Sequence, residues 1–174
     1  MQAKANNLFV LKKNVASVSR KKLLKLNRKC NLLKVFKLAD EKALHKYYSI
    51  RPDFDSSGYD IYEKETEFKC IYGRAESPTP FGVFDITNKS MPKEAYVSEY
   101  HPKYDKVKFF GYLEIFEDYF IHSDMYEESV MELPENNECS ISNNDCDTSG
   151  CIRVSQEDLS WLINNIEIGT PVIL

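Results

Sequence analysis

The chain has 174 residues, of which 43% are hydrophobic and 13% aromatic, and its formal net charge is -4. These values favour a single domain with one substantial core and a sheet-rich interior. No apolar run approaches the ~20 residues of a membrane-spanning helix, and the longest early run, Leu8 to Leu11, is too short for a secretory signal.

Positive charge is concentrated at the N-terminus. Residues 1–46 contain 13 Lys and Arg but only two acidic residues, so the rest of the chain is strongly acidic. Such a stretch is typical of a solvated linker or helix face, and it also suits contact with an anionic polymer or a membrane surface. We therefore divide the chain into a basic N-terminal segment, residues 1–29, and one domain, residues 30–174.

Hydrophobic alternation predicts a mostly β fold. Strands are expected at residues 31–38 and 44–50, joined as a hairpin, and at residues 82–87, 107–116, 119–122 and 170–174. One helix is predicted after Ser155, a good N-cap, because apolar residues recur at i, i+3, i+4 and i+7 from Leu159. The pattern indicates a β-rich α+β domain with one or two helices at its edge.

Cys151 offers a nucleophile beside a glycine turn. The Gly150-Cys151 step can place the sulfur on a tight turn whose backbone N–H groups face the same space, as stabilisation of an oxyanion requires. A thiol becomes an efficient acyl acceptor when an imidazole takes its proton, and His122, which ends an aromatic strand, is the best placed of three histidines. The plainer interpretation of such a cysteine is a small buried hydrophobe.

The chain has five cysteines, at positions 30, 70, 139, 146 and 151. Their spacings include no Cys-x2-Cys pair, so we predict no metal site, and nothing in the sequence calls for a cofactor. Cys139 and Cys146 are close in sequence and form either a local bridge or two spare thiols.

Five segments, in sequence order, carry a further signal. They are Leu33-Lys34-Val35-Phe36, Thr79-Pro80-Phe81-Gly82-Val83-Phe84, His122-Ser123, Thr148-Ser149-Gly150-Cys151-Ile152-Arg153 and Gly169-Thr170-Pro171-Val172. Together they resemble the motifs of the L,D-transpeptidase catalytic domain family, also called YkuD-type. The similarity runs from about residue 30 to the C-terminus.

The resemblance implies an L,D-transpeptidase-like β-sandwich that transfers acyl groups on peptidoglycan stem peptides through a thioester. It implies Cys151 as the nucleophile, His122 as the base and Ser123 as the residue whose backbone carbonyl orients the imidazole. Backbone N–H groups of Gly150, Ser149 and Cys151 would bind the oxyanion.

Two further side chains are candidates for substrate binding. Arg153 suits a substrate carboxylate, although bracing of the loop is the more ordinary role for it. Tyr112 suits a position in the wall of the substrate cleft, although aromatic residues at strand spacing more often belong to the core.

The resemblance also implies partners and a location. The substrates lie outside the cytoplasmic membrane, in the cell wall or periplasm, and carbapenem-type drugs are possible inhibitors. Membrane contact would come only through an anchor missing from this chain or through the basic N-terminus. A nucleic-acid partner is not expected, because nucleic-acid binding would account for the basic charge but not for the Gly-Cys site.

The chain departs from the family pattern at two places. Ser149 stands where the family usually has a histidine, a change that a backbone N–H role tolerates. The 25 residues between His122 and Thr148 exceed the usual spacing, so the loop at residues 124–147 is enlarged. This loop contains eight acids and no Lys or Arg, which predicts negative potential beside the site.

Three alternatives remain on sequence grounds. An L,D-carboxypeptidase would trim the same stem peptide with the same residues, with water in place of an acceptor amine. A non-catalytic cell-wall-binding module would not need the thiol. An unrelated cysteine peptidase would cut substrates made only of L-residues.

Overall fold

The computed structural model describes residues 8–12, 20–50, 52–55, 57–99, 101, 103–136, 138–144 and 148–174. These residues form short strands, two α-helices and one 3-10 helix. In chain order, the elements are β1 (Leu8–Lys12), β2 (Lys22–Asn27), β3 (Leu32–Leu38), α1 (Glu41–Ile50), β4 (Tyr59–Lys69), β5 (Val83–Asp85), β6 (Asn88–Lys89), β7 (Ala95–Ser98), β8 (Val107–Phe110), β9 (Tyr112–Phe116), β10 (Tyr119–His122), β11 (Tyr126–Glu127), the 3-10 helix (Ile141–Asn144), β12 (Ile152–Arg153), α2 (Gln156–Asn165) and β13 (Pro171–Ile173). The expected mostly β fold class is confirmed.

The largest sheet has six strands in the order β1-β4-β3-β2-β13-β5. Its strands pair antiparallel except for β13 and β2, which run parallel. Two further sheets, β12-β10-β9-β6 and β11-β8-β7, complete the β architecture.

The main core lies between the six-stranded and the four-stranded sheets. Leu24 and Leu33 of the first sheet and Leu113 and Ile121 of the second belong to one fully buried apolar cluster. Helix α2 adds Leu159 and two further apolar residues to this cluster. The sheets and the helix therefore enclose the main core, to which β10 contributes Ile121, while Leu23, Phe36 and Tyr62 form a second, smaller buried cluster.

Helix α2 begins where the sequence predicts, directly after Ser155. Ser155 is the N-cap, and its hydroxyl accepts a hydrogen bond from the backbone N–H of Asp158 at 3.1 Å. At the other end Lys89 donates to the carbonyls of Ile163 and Ile166, at 2.9 and 2.8 Å. A cation at this position satisfies terminal carbonyls and suits the helix dipole.

The predicted hairpin of residues 31–38 and 44–50 is wrong in its second half. Residues 41–50 form α1 instead, because Asp40 caps the helix by accepting from the backbone N–H of Ala43 at 2.8 Å. Strand β3 pairs with β2 on one side and β4 on the other.

The described part of the predicted N-terminal segment is built into the large sheet. Strand β2 lies between β3 and β13, and its residues Leu23 and Leu24 are fully buried. A boundary between residues 29 and 30 therefore cuts the β2–β3 hairpin, and whether residues 1–29 are separable stays a prediction. No helix among the described residues has the length and apolar character to cross a membrane.

Candidate active site

The pairing of β10 with β12 brings the predicted nucleophile and base together. These strands run parallel, with Ile121 opposite Ile152 and His122 opposite Arg153. Cys151 immediately precedes β12, so it lies beside Phe120, the second residue of β10. Cys151 and His122 line the same cavity, which has a volume of about 100 Å³.

The Cys151 sulfur is held by one backbone group of the β9–β10 turn and one of β10. The N–H of Phe120 donates to Sγ at 3.5 Å, and the thiol donates to the carbonyl of Asp118 at 3.8 Å. Burial raises the pKa of Cys151, the Phe120 N–H opposes this shift, and the charge of Asp118 adds to it. The resting group is therefore a thiol that needs a base.

His122 is buried and oriented by its neighbour. Its Nδ1 donates to the carbonyl of Ser123 at 2.7 Å, and its ring stacks on Phe109 with centroids 4.8 Å apart. Burial lowers the pKa of His122 to about 4, the hydrogen bond to Ser123 opposes this shift, and the charge of Arg153 adds to it. The neutral ring with its proton on Nδ1 presents a lone pair on Nε2, so it can accept a proton at neutral pH.

The turn before Cys151 requires glycine. Gly150 has φ +118°, and a Cβ at this position would approach the Tyr119 ring to 2.7 Å. Thr148 closes the turn by donating from its hydroxyl to the carbonyl of Cys151 at 2.5 Å. This conformation places the thiol at the start of β12.

A second segment clamps the same turn from outside. The buried hydroxyl of Thr79 accepts from the N–H of Gly73 at 2.8 Å and donates to the carbonyl of Gly150 at 2.7 Å. Gly73 packs so closely that a Cβ there would lie 2.8 Å from the Gly150 Cα. The Ser77 hydroxyl adds a hydrogen bond to the carbonyl of Ser149 at 2.9 Å.

The backbone N–H groups of the turn differ in their availability. That of Gly150 points to the Thr148 hydroxyl, 3.3 Å away. Those of Ser149 and Cys151 donate to no residue that the structure describes. Two of the three N–H groups predicted to bind an oxyanion are thus available to a ligand.

The cavity brings some of the predicted site residues together and leaves others out. Its lining residues are Arg74, Ser98, His101, Lys103, Val107, Phe109, Asp118, Phe120, His122, Met125, Thr148, Ser149 and Cys151. Tyr112 lies instead among the aromatic rings behind it, in contact with Tyr96 and Phe120.

Arg153 also lies outside this cavity. Its Nε is 3.9 Å from a carboxylate oxygen of Asp124, and its backbone exchanges two hydrogen bonds with Ile71. The side chain lines a separate cavity of about 640 Å³ that also contains Cys30 and Cys70. Arg153 therefore lies outside the cavity of Cys151, and its role in substrate binding or in bracing stays a prediction.

The start of the long loop is fixed beside the base. Ser142 donates to a carboxylate oxygen of Asp124 at 3.0 Å and accepts from the N–H of Met125 at 2.8 Å. Of the loop residues that the structure describes, Met125 lines the cavity and the acids do not. Asp145, Cys146 and Asp147 lie outside the described residues. The predicted alternative of a bridge between Cys139 and Cys146 therefore also falls outside them.

Sequence reasoning missed the cationic and aromatic walls of the cavity. Arg74 is set by the bridge between Gly73 and Thr148, a contact 75 positions apart that no local pattern reveals. His101 and Lys103 come from the loop between β7 and β8. Within the described ranges, no group of His, Cys, Asp and Glu side chains is arranged to hold a metal ion.

A buried histidine and a cysteine after a glycine turn, carried by a β-sandwich, define a cysteine–histidine class of site. The model of the YkuD family, the L,D-transpeptidase catalytic domain, matches residues 55–174, and the chain belongs to this family. No curated protein sequence matches the chain.

Solved structures share the fold. The L,D-transpeptidase from Mycobacterium smegmatis has a TM-score of 0.55 at 16% identity, and the match covers 88% of this chain and 58% of that one. L,D-transpeptidase 3 from Mycobacterium tuberculosis, solved with a faropenem-derived adduct, has a TM-score of 0.53 at 18% identity and coverage of 88% and 59%. The L,D-transpeptidase LdtMt1 in complex with imipenem has a TM-score of 0.55 at 12% identity and coverage of 88% and 58%. The chain thus spans less than two thirds of the length of these proteins.

Proposed function

We propose that the protein is a cysteine acyltransferase that forms L,D cross-links between peptidoglycan stem peptides. The observation that carries the proposal is the shared cavity of Cys151 and His122, with the imidazole fixed as a proton acceptor by Ser123. Membership in the YkuD family supports the substrate class. We place the reaction outside the cytoplasmic membrane, in the wall or periplasm, where that substrate is found.

The first half-reaction forms a thioester. Nε2 of His122 takes the proton of Cys151, and the thiolate attacks the carbonyl that joins the third, diamino, residue of a stem tetrapeptide to its terminal D-Ala. The N–H groups of Ser149 and Cys151 stabilise the oxyanion. The C–N bond breaks, and the imidazolium returns its proton to the nitrogen of the departing D-Ala.

The second half-reaction divides transferase from hydrolase. An amine of a neighbouring stem peptide attacks the thioester, loses its proton to His122, and releases Cys151 as a cross-link forms. Attack by water instead gives L,D-carboxypeptidase activity through the same residues. Separation of the products formed from stem peptides distinguishes the two, since only transfer yields a dimer.

The test uses a strained lactam as an acyl donor for the thiol. Incubation with a carbapenem should add one drug mass to the intact protein, and peptide mapping should place it on Cys151. Cys30 and Cys139 are exposed thiols outside the cavity of His122, so they serve as internal controls. Cys70 is a buried control, because burial raises its pKa to about 12.

Two outcomes would contradict the proposal. Adducts spread over several cysteines would show ordinary thiol reactivity. No adduct on folded, reduced protein, together with unchanged binding of wall material by Cys151→Ala, would favour a non-catalytic wall-binding module.

A further inference from the structure

The cavity beside Cys151 carries more cationic than anionic side chains. Arg74 and Lys103 line it, whereas Asp118 is the one acid among its described lining residues. Lys103 is exposed, but Arg74 is half-buried. A half-buried guanidinium beside a reacting thiol favours a negatively charged group in the ligand.

The backbone of Arg74 is fixed to the nucleophile turn. Its N–H donates to the carbonyl of Thr148 at 3.1 Å, and its carbonyl accepts from the N–H of Ser77 at 3.1 Å. The preceding residue, Gly73, packs against Gly150. The position of Arg74 relative to Cys151 is therefore set by the same clamp that sets the thiol.

The guanidinium of Arg74 has neither an acidic partner nor a hydrogen-bond acceptor among the described residues. Other described arginines differ. Arg20 pairs with Asp60 at 3.3 Å, and Arg28 donates to two backbone carbonyls at 2.8 Å. Five N–H donors in a fork that matches a carboxylate are thus left for a ligand.

We propose that Arg74 binds the C-terminal carboxylate of the donor stem peptide, the carboxylate of the D-Ala that leaves. This inference rests on the proposed function. The terminal carboxylate is three bonds from the scissile carbonyl carbon, whereas the other carboxylates of a stem are farther along the peptide. The cavity of about 100 Å³ that Arg74 shares with Cys151 has room for such a short end group. Arg74 thereby selects donors that end one residue beyond the scissile bond.

The test compares two synthetic tetrapeptide donors, one with a free C-terminal carboxylate and one with a C-terminal primary amide. Release of D-Ala or its amide gives kcat/KM for each. Wild type should prefer the carboxylate donor. Arg74→Gln should lower kcat/KM for the carboxylate donor by about 10- to 100-fold, the range for a hydrogen-bonded charged pair. It should leave kcat/KM for the amide donor nearly unchanged. Arg74→Lys should keep part of the preference, because it keeps the charge but not the fork.

Controls separate recognition from structure. Arg20→Gln removes a guanidinium remote from the cavity and should leave both donors unchanged. Alkylation of Cys151 by iodoacetamide, which is uncharged, should be as fast in Arg74→Gln as in wild type if the nucleophile turn is intact. A third donor, amidated on the side-chain carboxylate of the diamino acid, should behave like the first.

Four outcomes would overturn the inference. An unchanged carboxylate preference in Arg74→Gln removes Arg74 from recognition, and an equal loss on both donors shows a structural role. If wild type discriminates against the donor amidated on the diamino-acid side chain and Arg74→Gln does not, Arg74 binds that side-chain carboxylate instead. In these three cases the proposed function stands. If wild type releases D-Ala from neither donor, the proposed function fails with the inference.

Discussion

His122 combines complete burial with a single strong orienting contact. Its Nδ1 donates to Ser123, and its ring lies against Phe109, so the imidazole has one orientation and one tautomer. Burial keeps the pKa of His122 at about 4, far enough below neutrality for the ring to act as a base in the resting protein. The cost of this arrangement is a dependence of stability on pH.

We expect the free energy of unfolding to fall as pH falls from about 6.5 to about 4. The unfolded chain protonates His122 near 6.5, whereas the folded protein protonates it only near 4, so between these values the unfolded state binds the extra proton. The loss is at most about 3 kcal/mol. Urea titrations of wild type and His122→Asn at several pH values measure it. The variant should lack this part of the pH dependence, and parallel curves for the two proteins would refute the lowered pKa.

At the scale of elements, the nucleophile is positioned by a clamp between distant segments. The segment after β4 contributes Gly73 and Thr79, and both contact the turn that precedes β12. Helix α2 follows β12 directly and packs on the core, so the turn is held on both sides. The thiol therefore depends on hydrogen bonds that are remote in sequence.

Thr79→Val tests the clamp. The substitution keeps the branched shape but removes the hydroxyl, leaving the buried N–H of Gly73 and carbonyl of Gly150 unpaired, at about 1–3 kcal/mol each. We expect lower stability in urea and slower carbapenem acylation of Cys151. Thr87→Val is the matched control, since its exposed hydroxyl makes only a 3.3 Å contact with the carbonyl of Glu114. If Thr79→Val is destabilised but its Cys151 is acylated at the wild-type rate, Thr79 has a role in folding only.

The sequence predicts those elements whose signal is local. The N-cap at Ser155 and the aromatic strand ending at His122 have strong local patterns, and both are confirmed. Strand β4 alternates charged residues with few apolar ones, and α1 depends on a cap at Asp40, so the local pattern predicts neither element. Side chains such as Arg74 reach the cavity through long-range packing, which a single sequence does not encode in any local pattern.

At the scale of the whole molecule, the fold brings part of the basic N-terminal stretch against acidic residues from later in the chain. Basic β2 and β3 lie in the same sheet as acidic β4, and ion pairs connect them. Lys22 contacts Glu65 at 2.7 Å, and Lys37 contacts Glu63 at 3.1 Å. Each such surface pair contributes only about 0.2–1 kcal/mol, so apolar burial must dominate the attachment of these strands.

Truncation at two points tests whether residues 1–29 are separable. Of the elements that the structure describes, a chain that starts at residue 20 loses β1, an edge strand paired with β4, and it should still unfold cooperatively on heating. A chain that starts at residue 30 loses β2, which separates β3 from β13 and buries Leu23 and Leu24 completely, so it should show no cooperative transition. Circular dichroism during thermal denaturation compares the two with the full chain. A cooperative transition for the shorter chain would establish residues 30–174 as an independent domain. It would also show that the fold does not need β2, although β2 lies in the middle of the sheet.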